Sequence, residues 1–301
     1  MGEKMSRRSF VRTCGMGAVA AVAAGKTAVE TKRAAAETGS GDEIKKALVF
    51  SMLPGNLSIE DRFKLAADVG FQGTEIPTVR DPKTLKQMMD AAQKTGVRIH
   101  SVMNSDHWSY PLSSPDPDVV ARGMKCMEVS LHNAHDSGAD TVLLVPAVVN
   151  PNVMYRDAYE RSQKQIRTLL PLAEKLKVVI GVENVWNKFL LSPLEFASYV
   201  DEFKSPFLKA YFDVGNVVLF GYPQDWIRTL GSRIIKLHVK GFDARKSRFT
   251  NLRDGTIDWP EVRRALKEIN YSGFMSAELE GGDRDYLKDV SERMDKIIAG
   301  E

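Results

Sequence analysis

The sequence is short of cysteine, of long apolar runs and of any charge excess outside its first residues. Each shortage excludes a class of protein. Of the two cysteines, Cys14 lies in an N-terminal leader, so no disulfide framework holds the rest of the chain. Cys126 falls in Met124-Lys125-Cys126-Met127, which reads as the apolar face of a helix, where a lone thiol is expected to be buried. Beyond the N-terminus there is no apolar run of the roughly 18 residues that a spanning helix needs, which argues against an internal membrane segment. The formal charge of +3 is unevenly placed. Residues 1–36 hold Lys4, Arg7, Arg8, Arg12, Lys26, Lys32 and Arg33 against Glu3 and Glu30, a net of +5, so residues 37–301 carry a net of −2. The folded part therefore lacks the basic balance of a nucleic-acid binder, and no nucleic-acid partner is expected. No GxGxxG follows the first apolar strand, which weighs against a dinucleotide-binding fold. Low-complexity sequence is absent after residue 43.

The N-terminus is present as an address. Ser6-Arg7-Arg8-Ser9-Phe10-Val11-Arg12 precedes a mildly apolar Gly/Ala/Val stretch, Gly15 to Gly25, and Ala34-Ala35-Ala36 offers a small-residue cleavage site. Paired arginines, the Phe that follows and an alanine-rich segment resemble a twin-arginine export signal. The resemblance implies a signal peptide over residues 1–36, passage through the twin-arginine translocation machinery, and a periplasmic or otherwise extracytoplasmic protein. Residues 37–44 read as a flexible spacer.

From residue 45 to 301, β-rich runs alternate with helical patterns eight times. The strands are expected at Ala47–Leu53, Gly73–Pro77, Val97–Asn104, Thr141–Val148, Val178–Trp186, Leu208–Val217, Ile234–Gly241 and Gly273–Glu280. Helices are expected between them, with Ser58 and Asp258 as N-caps and Gly96 and Gly138 as stops. Continuously apolar strands in strict alternation with helices predict a parallel sheet covered by helices. Eight units in about 260 residues favour closure, so the fold class is α/β, a single-domain (β/α)8 TIM barrel.

In such barrels chemistry sits at the C-terminal ends of the strands. Here strand 5 ends Gly-Val-Glu183-Asn, strand 6 Phe-Asp213-Val-Gly-Asn216, strand 7 Leu-His238-Val-Lys240, and strand 8 Met-Ser-Ala-Glu278. Four consecutive strands each place one carboxylate or imidazole in an otherwise apolar segment. Buried charges must be paired or metal-bound, and three close carboxylates repel. One divalent cation answers both conditions. Three oxygens and an imidazole suit Mn²⁺ foremost, with Mg²⁺, Co²⁺ or Zn²⁺ as alternatives.

These strand ends, with Gly255-Thr256-Ile257-Asp258-Trp259, resemble the xylose-isomerase-like superfamily, and within it the sugar isomerase and epimerase branch. The resemblance implies that Glu183, Asp213, His238 and Glu278 bind a catalytic metal. It also implies that Glu183 and Glu278 exchange a proton on opposite faces of a substrate, next to a carbonyl, through a metal-stabilised enediolate. The outcome is epimerisation, isomerisation or β-elimination according to where the proton and electrons go. The substrate is expected to be a small-molecule sugar or glycoside, and export favours a non-phosphorylated one.

Candidates around the metal follow from position. Lys240, two residues past His238, points to the same side of the strand and is either an enolate-stabilising or proton-donating catalytic group or a rim lysine. Asn216 stands where many sugar epimerases carry His. An amide binds a substrate oxygen but transfers no proton at neutral pH. His107-Trp108, in the long loop after strand 3, suits sugar binding by stacking and hydroxyl contacts, or is a packed surface loop. Trp186 either walls the pocket or packs on the next helix. Arg245, near where relatives place a substrate-contacting Arg, otherwise belongs to an exposed basic loop. Glu75 and His100 line the mouth or are structural, and His132 and His135 have no role. An exported lyase acting on keto-glycosides of the 3-keto-glucoside type and a non-catalytic sugar-binding protein stay open as alternatives, as does a homo-oligomer. An AP endonuclease of the same fold is disfavoured, because its extra metal-binding histidines are missing.

Overall fold

Parallel strands that are apolar on both faces must be covered on one side by helices and filled on the other by their own side chains, and this chain closes that arrangement into a ring. The structure, a computed structural model, describes residues 43–301. The expected signal peptide, residues 1–36, and most of the expected spacer lie outside the described residues. The strands are β1 (Ile44–Val49), β2 (Gly73–Pro77), β3 (Arg98–Met103), β4 (Thr141–Leu144), β5 (Val179–Glu183), β6 (Leu208–Asp213), β7 (Ile234–Val239), β8 (Gly241–Asp243), β9 (Arg248–Thr250) and β10 (Gly273–Ala277). The helices are α1 (Ile59–Asp68), α2 (Pro82–Thr95), α3 (Pro117–Ser137), α4 (Tyr155–Leu176), α5 (Pro193–Asp201), α6 (Pro223–Leu230), α7 (Trp259–Glu268) and α8 (Arg284–Ala299). Eight strands form a closed parallel barrel in the order β1-β10-β7-β6-β5-β4-β3-β2, and β8 and β9 make a separate antiparallel hairpin. The expected TIM barrel is the fold observed.

Helix ends follow local chemistry. The Ser58 side chain accepts from Asp61 N–H at the start of α1, and Asp258 from Glu261 N–H at the start of α7. Gly96 and Gly138, both left-handed, close α2 and α3. Cys126 is buried on α3, as its apolar neighbours predict.

Several strands are shorter than expected. The first begins at Ile44 and gives way at Phe50 to a 3-10 turn. β4 stops at Leu144, β5 at Glu183, β6 at Asp213, β7 at Val239 and β10 at Ala277. Of the apolar residues that prolong these readings, Val145, Ala147, Val214 and Val217 are buried in the loops that cap the barrel. Apolarity marks burial there, and the sheet has already ended.

Register sets depth inside the barrel. Asp213 is level with His238, His238 with Ser276, Glu183 with Tyr211, and Glu75 with Ser101. Side chains alternate along each strand, so residues two apart share a face. This stacks Lys236 and His238 along β7 with Lys240 just past its end, and Phe274 and Ser276 along β10 with Glu278 just past its end.

Candidate metal centre

The C-terminal ends of β5, β6, β7 and β10 bring together the four residues that their strand-end positions single out. Glu183, Asp213, His238 and Glu278 each offer one ligand atom, and these atoms lie within 4.8 Å of one another. Asp213 and His238 are fully buried, Glu183 nearly so, and Glu278 is partly open. His238 Nδ1 lies 3.0 Å from Glu183 Oε1 and 3.3 Å from Glu278 Oε2. Lys240 Nζ lies 2.5 Å from Glu278 Oε2 and 3.2 Å from Asp213 Oδ2. Asp213 Oδ2 is buried and accepts no hydrogen bond.

The electrostatics are those of anions gathered around too little positive charge. Burial, helped by the charges of Glu278 and Asp213, pushes the Glu183 carboxyl up to about 7 despite His238. Burial raises Asp213 as well. Against burial, the charges of Glu278, Glu75 and Glu183 hold His238 well above its ordinary value. Burial also opposes the Lys240 ammonium, but Asp213 and Glu278 hold its proton far more tightly than usual. Lys240 therefore stands as a fixed positive charge. A divalent cation fits this set. The donors are three carboxylates and an imidazole, and the buried Asp213 Oδ2 accepts no hydrogen bond, with only the Lys240 ammonium 3.2 Å away to offset its charge.

Supporting groups hold the ligands in place. The sequence places Glu75 at the mouth or in a structural role. It lies fully buried beside the imidazole, with Oε1 3.0 Å from His238 Nε2 and Oε2 accepting from Ser101 Oγ at 2.6 Å. Nδ1 is thus the nitrogen left for an ion, in the carboxylate–histidine–metal arrangement. Asn184 is a residue that the sequence reading left out. Its side chain bridges β5 to β6, accepting from Asp213 N–H and donating to Asp213 O, each at 2.9 Å. The one available signal was an amide directly following Glu183 at an apolar strand end. Asn216 is buried against the same pair: its N–H donates to Asp213 Oδ1 at 2.6 Å, and its Nδ2 donates to Asn184 O at 3.0 Å. Its amide is committed to the scaffold even though it borders the cavity. Gly215 matters for a steric reason, since a Cβ there would sit 2.4 Å from Lys240 Cγ.

Above the four ligands opens a cavity of about 230 Å³ whose wall includes His107, Trp108, Trp186, Asn216, Lys240 and Phe249 as well as Glu183 and Glu278. His107 Nδ1 accepts from Val145 N–H at 3.2 Å, and burial pushes the ring down to about 4. The neutral ring then carries its proton on Nε2, free to donate. Trp186 stacks on Phe249 of the hairpin with ring centres 4.7 Å apart, and its Nε1 donates to Asn216 O. Phe249 went unnoticed because the hairpin reads as a charged loop. Arg245 is not brought to the site. It is exposed on the hairpin and bound to Asp243 at 3.0 Å, and it borders neither this cavity nor its neighbour. The reason is local: the turn of an antiparallel hairpin points its tip outward. His100 lies deeper, bonded to Ser276 Oγ and stacked on Phe274. His135 binds Leu176 O between helices.

The family described as the xylose isomerase-like TIM barrel matches residues 63–297. The chain belongs to that family. L-ribulose-5-phosphate 3-epimerase UlaE of Escherichia coli O1:K1 is 25% identical over 248 residues, which cover 77% of this chain and 85% of the relative. Among solved structures, D-allulose 3-epimerase from Methylomonas sp. in complex with D-allulose superposes with a TM-score of 0.70 at 18% identity, covering 85% of this chain and 97% of that one. The 3-keto-D-glucoside 4-epimerase YcjR of E. coli superposes with a TM-score of 0.72 at 15% identity, covering 85% and 99%. At these identities the superpositions speak for the fold.

Proposed function

We propose that this chain is a metal-dependent carbohydrate epimerase or isomerase that moves a proton at the carbon next to a carbonyl of a non-phosphorylated sugar. The observation that carries the reading is that the Glu183 and Glu278 carboxylates, both against His238 Nδ1, open onto one cavity together with the Lys240 ammonium. A bound divalent ion, Mn²⁺ by preference, supplies a Lewis acid for the carbonyl oxygen. One glutamate removes the proton and the electron pair moves onto that oxygen. The other glutamate returns a proton to the opposite face, which inverts the carbon. Lys240, held protonated, stabilises the negative charge on oxygen. His107 Nε2–H donates to a hydroxyl, and Trp108 and Trp186 offer faces to the C–H surface of the ring. The sugar-epimerase names of the relatives support this class of reaction. The test is incubation of ketoses with metal-loaded protein in D₂O, read by deuterium entry next to the carbonyl.

A second reading is a lyase on keto-glycosides. Lys240 favours it too, because a fixed cation at the cavity wall stabilises a departing alkoxide as well as an enolate. Release of aglycone from a 3-keto-glucoside separates the two. Export belongs to the same proposal and rests on Arg7-Arg8 and the alanine-rich stretch that follows. The double variant Arg7→Lys/Arg8→Lys is expected to stay in the cytoplasmic fraction while the native chain reaches the periplasm.

A further inference from the structure

The cavity above the metal ligands has a larger neighbour. A second cavity of about 520 Å³ shares Lys240, Phe249 and Glu278 with it and continues outward between the β8–β9 hairpin and the start of α8. We propose that this second cavity is a subsite for an uncharged sugar ring, so that the substrate is a glycosylated keto-sugar with one ring at the metal centre and the other between Phe249 and Tyr286. The proposal rests on the epimerase reading and names its substrate class.

Size is the first argument. The inner cavity is smaller than the roughly 300–1,000 Å³ of sites that take drug-sized ligands, which suits one ring. A lone monosaccharide leaves the outer cavity unfilled. Charge is the second argument. Recognition of a phosphate calls for arginine, lysine or free N–H groups at a helix start. Among the described residues the only cation in the outer wall is Lys240, already paired with Glu278 and Asp213, and Glu280 adds a further anion. The start of α8 is closed by Asp283, whose carboxylate accepts from Tyr286 N–H at 3.0 Å. Of the nearby arginines, Arg284 is bound to Asp68 and Arg293 to Asp254 and Asp289, while Arg248 and Arg253 are exposed to solvent and outside the wall. A phosphate in this cavity would meet two carboxylates, and no unpaired cation is among its wall residues.

The wall that remains is aromatic and hydrogen-bonding. Among the described residues, neither the Glu280 carboxylate nor the Tyr286 hydroxyl has a hydrogen-bond partner, and both border the cavity beside aromatic faces. Sugars present that mixture in reverse, with hydroxyls that donate to carboxylates and C–H faces that lie on rings. The wall is also held in place. Phe249 is stacked on Trp186, with Lys240 Nζ 5.3 Å from its ring centre. Tyr286 lies so close to Gly282 that a Cβ at that position would be 2.3 Å from its ring.

The test compares binding by saturation-transfer titration to metal-loaded protein, using maltulose, isomaltulose, D-fructose and D-fructose 6-phosphate. At least one glucosyl-fructose is expected to bind about tenfold tighter than D-fructose, the worth of one good ring contact, and D-fructose 6-phosphate no tighter than D-fructose. Tyr286→Ala, and independently the exposed Glu280→Ala, are expected to weaken the disaccharide several-fold more than D-fructose. Equal binding of all four sugars, tightest binding of the phosphate, or equal loss for both sugars in the variants would overturn the subsite. The epimerase reading fails separately. Preferential disaccharide binding without deuterium exchange leaves the subsite standing and removes the reaction. Exchange on D-fructose without that preference does the reverse.

Discussion

The Nε2 of His238 lies 3.0 Å from Oε1 of Glu75, and both side chains are fully shielded from solvent. A carboxylate only accepts, so the Nε2 proton points to Glu75 and the ring turns Nδ1 towards Glu183, Asp213 and Glu278. Glu75→Gln keeps the shape and an acceptor but removes the charge that fixes this orientation. It is expected to weaken divalent-metal binding by about 10- to 100-fold, measured by competition with a chelator, with the circular-dichroism spectrum unchanged. Unaltered affinity would mean that Glu75 plays no part in orienting the ligand.

Lys240 sits between Glu278 and Asp213 as a permanent cation. Lys240→Met is expected to lower kcat by about 10²- to 10⁴-fold while metal affinity holds or rises, because a competing positive charge is gone. Gly215→Ala, which drives a Cβ against the Lys240 side chain, is expected to reproduce part of the loss without changing any charge.

His107 is neutral in the fold. Its pKa is pushed from the ordinary 6.5 to about 4 by burial. Between those values the unfolded chain binds a proton that the folded chain refuses, so stability falls as pH drops from 6.5 towards 4. His107→Gln is expected to flatten this part of the pH–stability curve, read by thermal melts across the same window. It is also expected to raise KM at pH 7 with no shift of the pH–rate profile above pH 5, since the native ring does not titrate there.

Metal removal has a thermal signature. An ion that binds only the folded state stabilises by about 2.7 kcal/mol at a hundredfold excess over its Kd. For a chain of this size that corresponds to a rise in Tm of roughly 5 °C. Addition of Mn²⁺ to chelator-treated protein is expected to give this rise, and Asp213→Asn to abolish most of it.

Much of this was visible in the residues alone, for identifiable reasons. Alternating apolar runs and capped helices betray a βα repeat because period and capping are local properties. Glu183, Asp213, His238 and Glu278 stood out because a charge at an apolar strand end has few physical explanations. Depth and partnership were not visible. Glu75 meets His238, and Ser101 meets Glu75, only through the register of three separate strands, and Asn184 clamps Asp213 across the gap between β5 and β6. The hairpin hid Phe249 behind Asp243, Arg245, Lys246 and Arg248, whose charges resemble those of an unstructured loop. Its exposed tip is also what carries Arg245 away from the metal ligands.

The most direct test of the account is proton exchange at the carbon next to the carbonyl. Apo protein, Mn²⁺-loaded protein and the loaded Glu183→Gln and Glu278→Gln variants would be incubated with a panel of free and glucosylated ketoses in D₂O and followed by NMR. The account predicts deuterium entry and formation of an epimer or isomer with the loaded native chain alone, suppressed by chelator and by either substitution. Exchange that persists in chelator or in both variants, or its absence across the panel with metal bound, would contradict it.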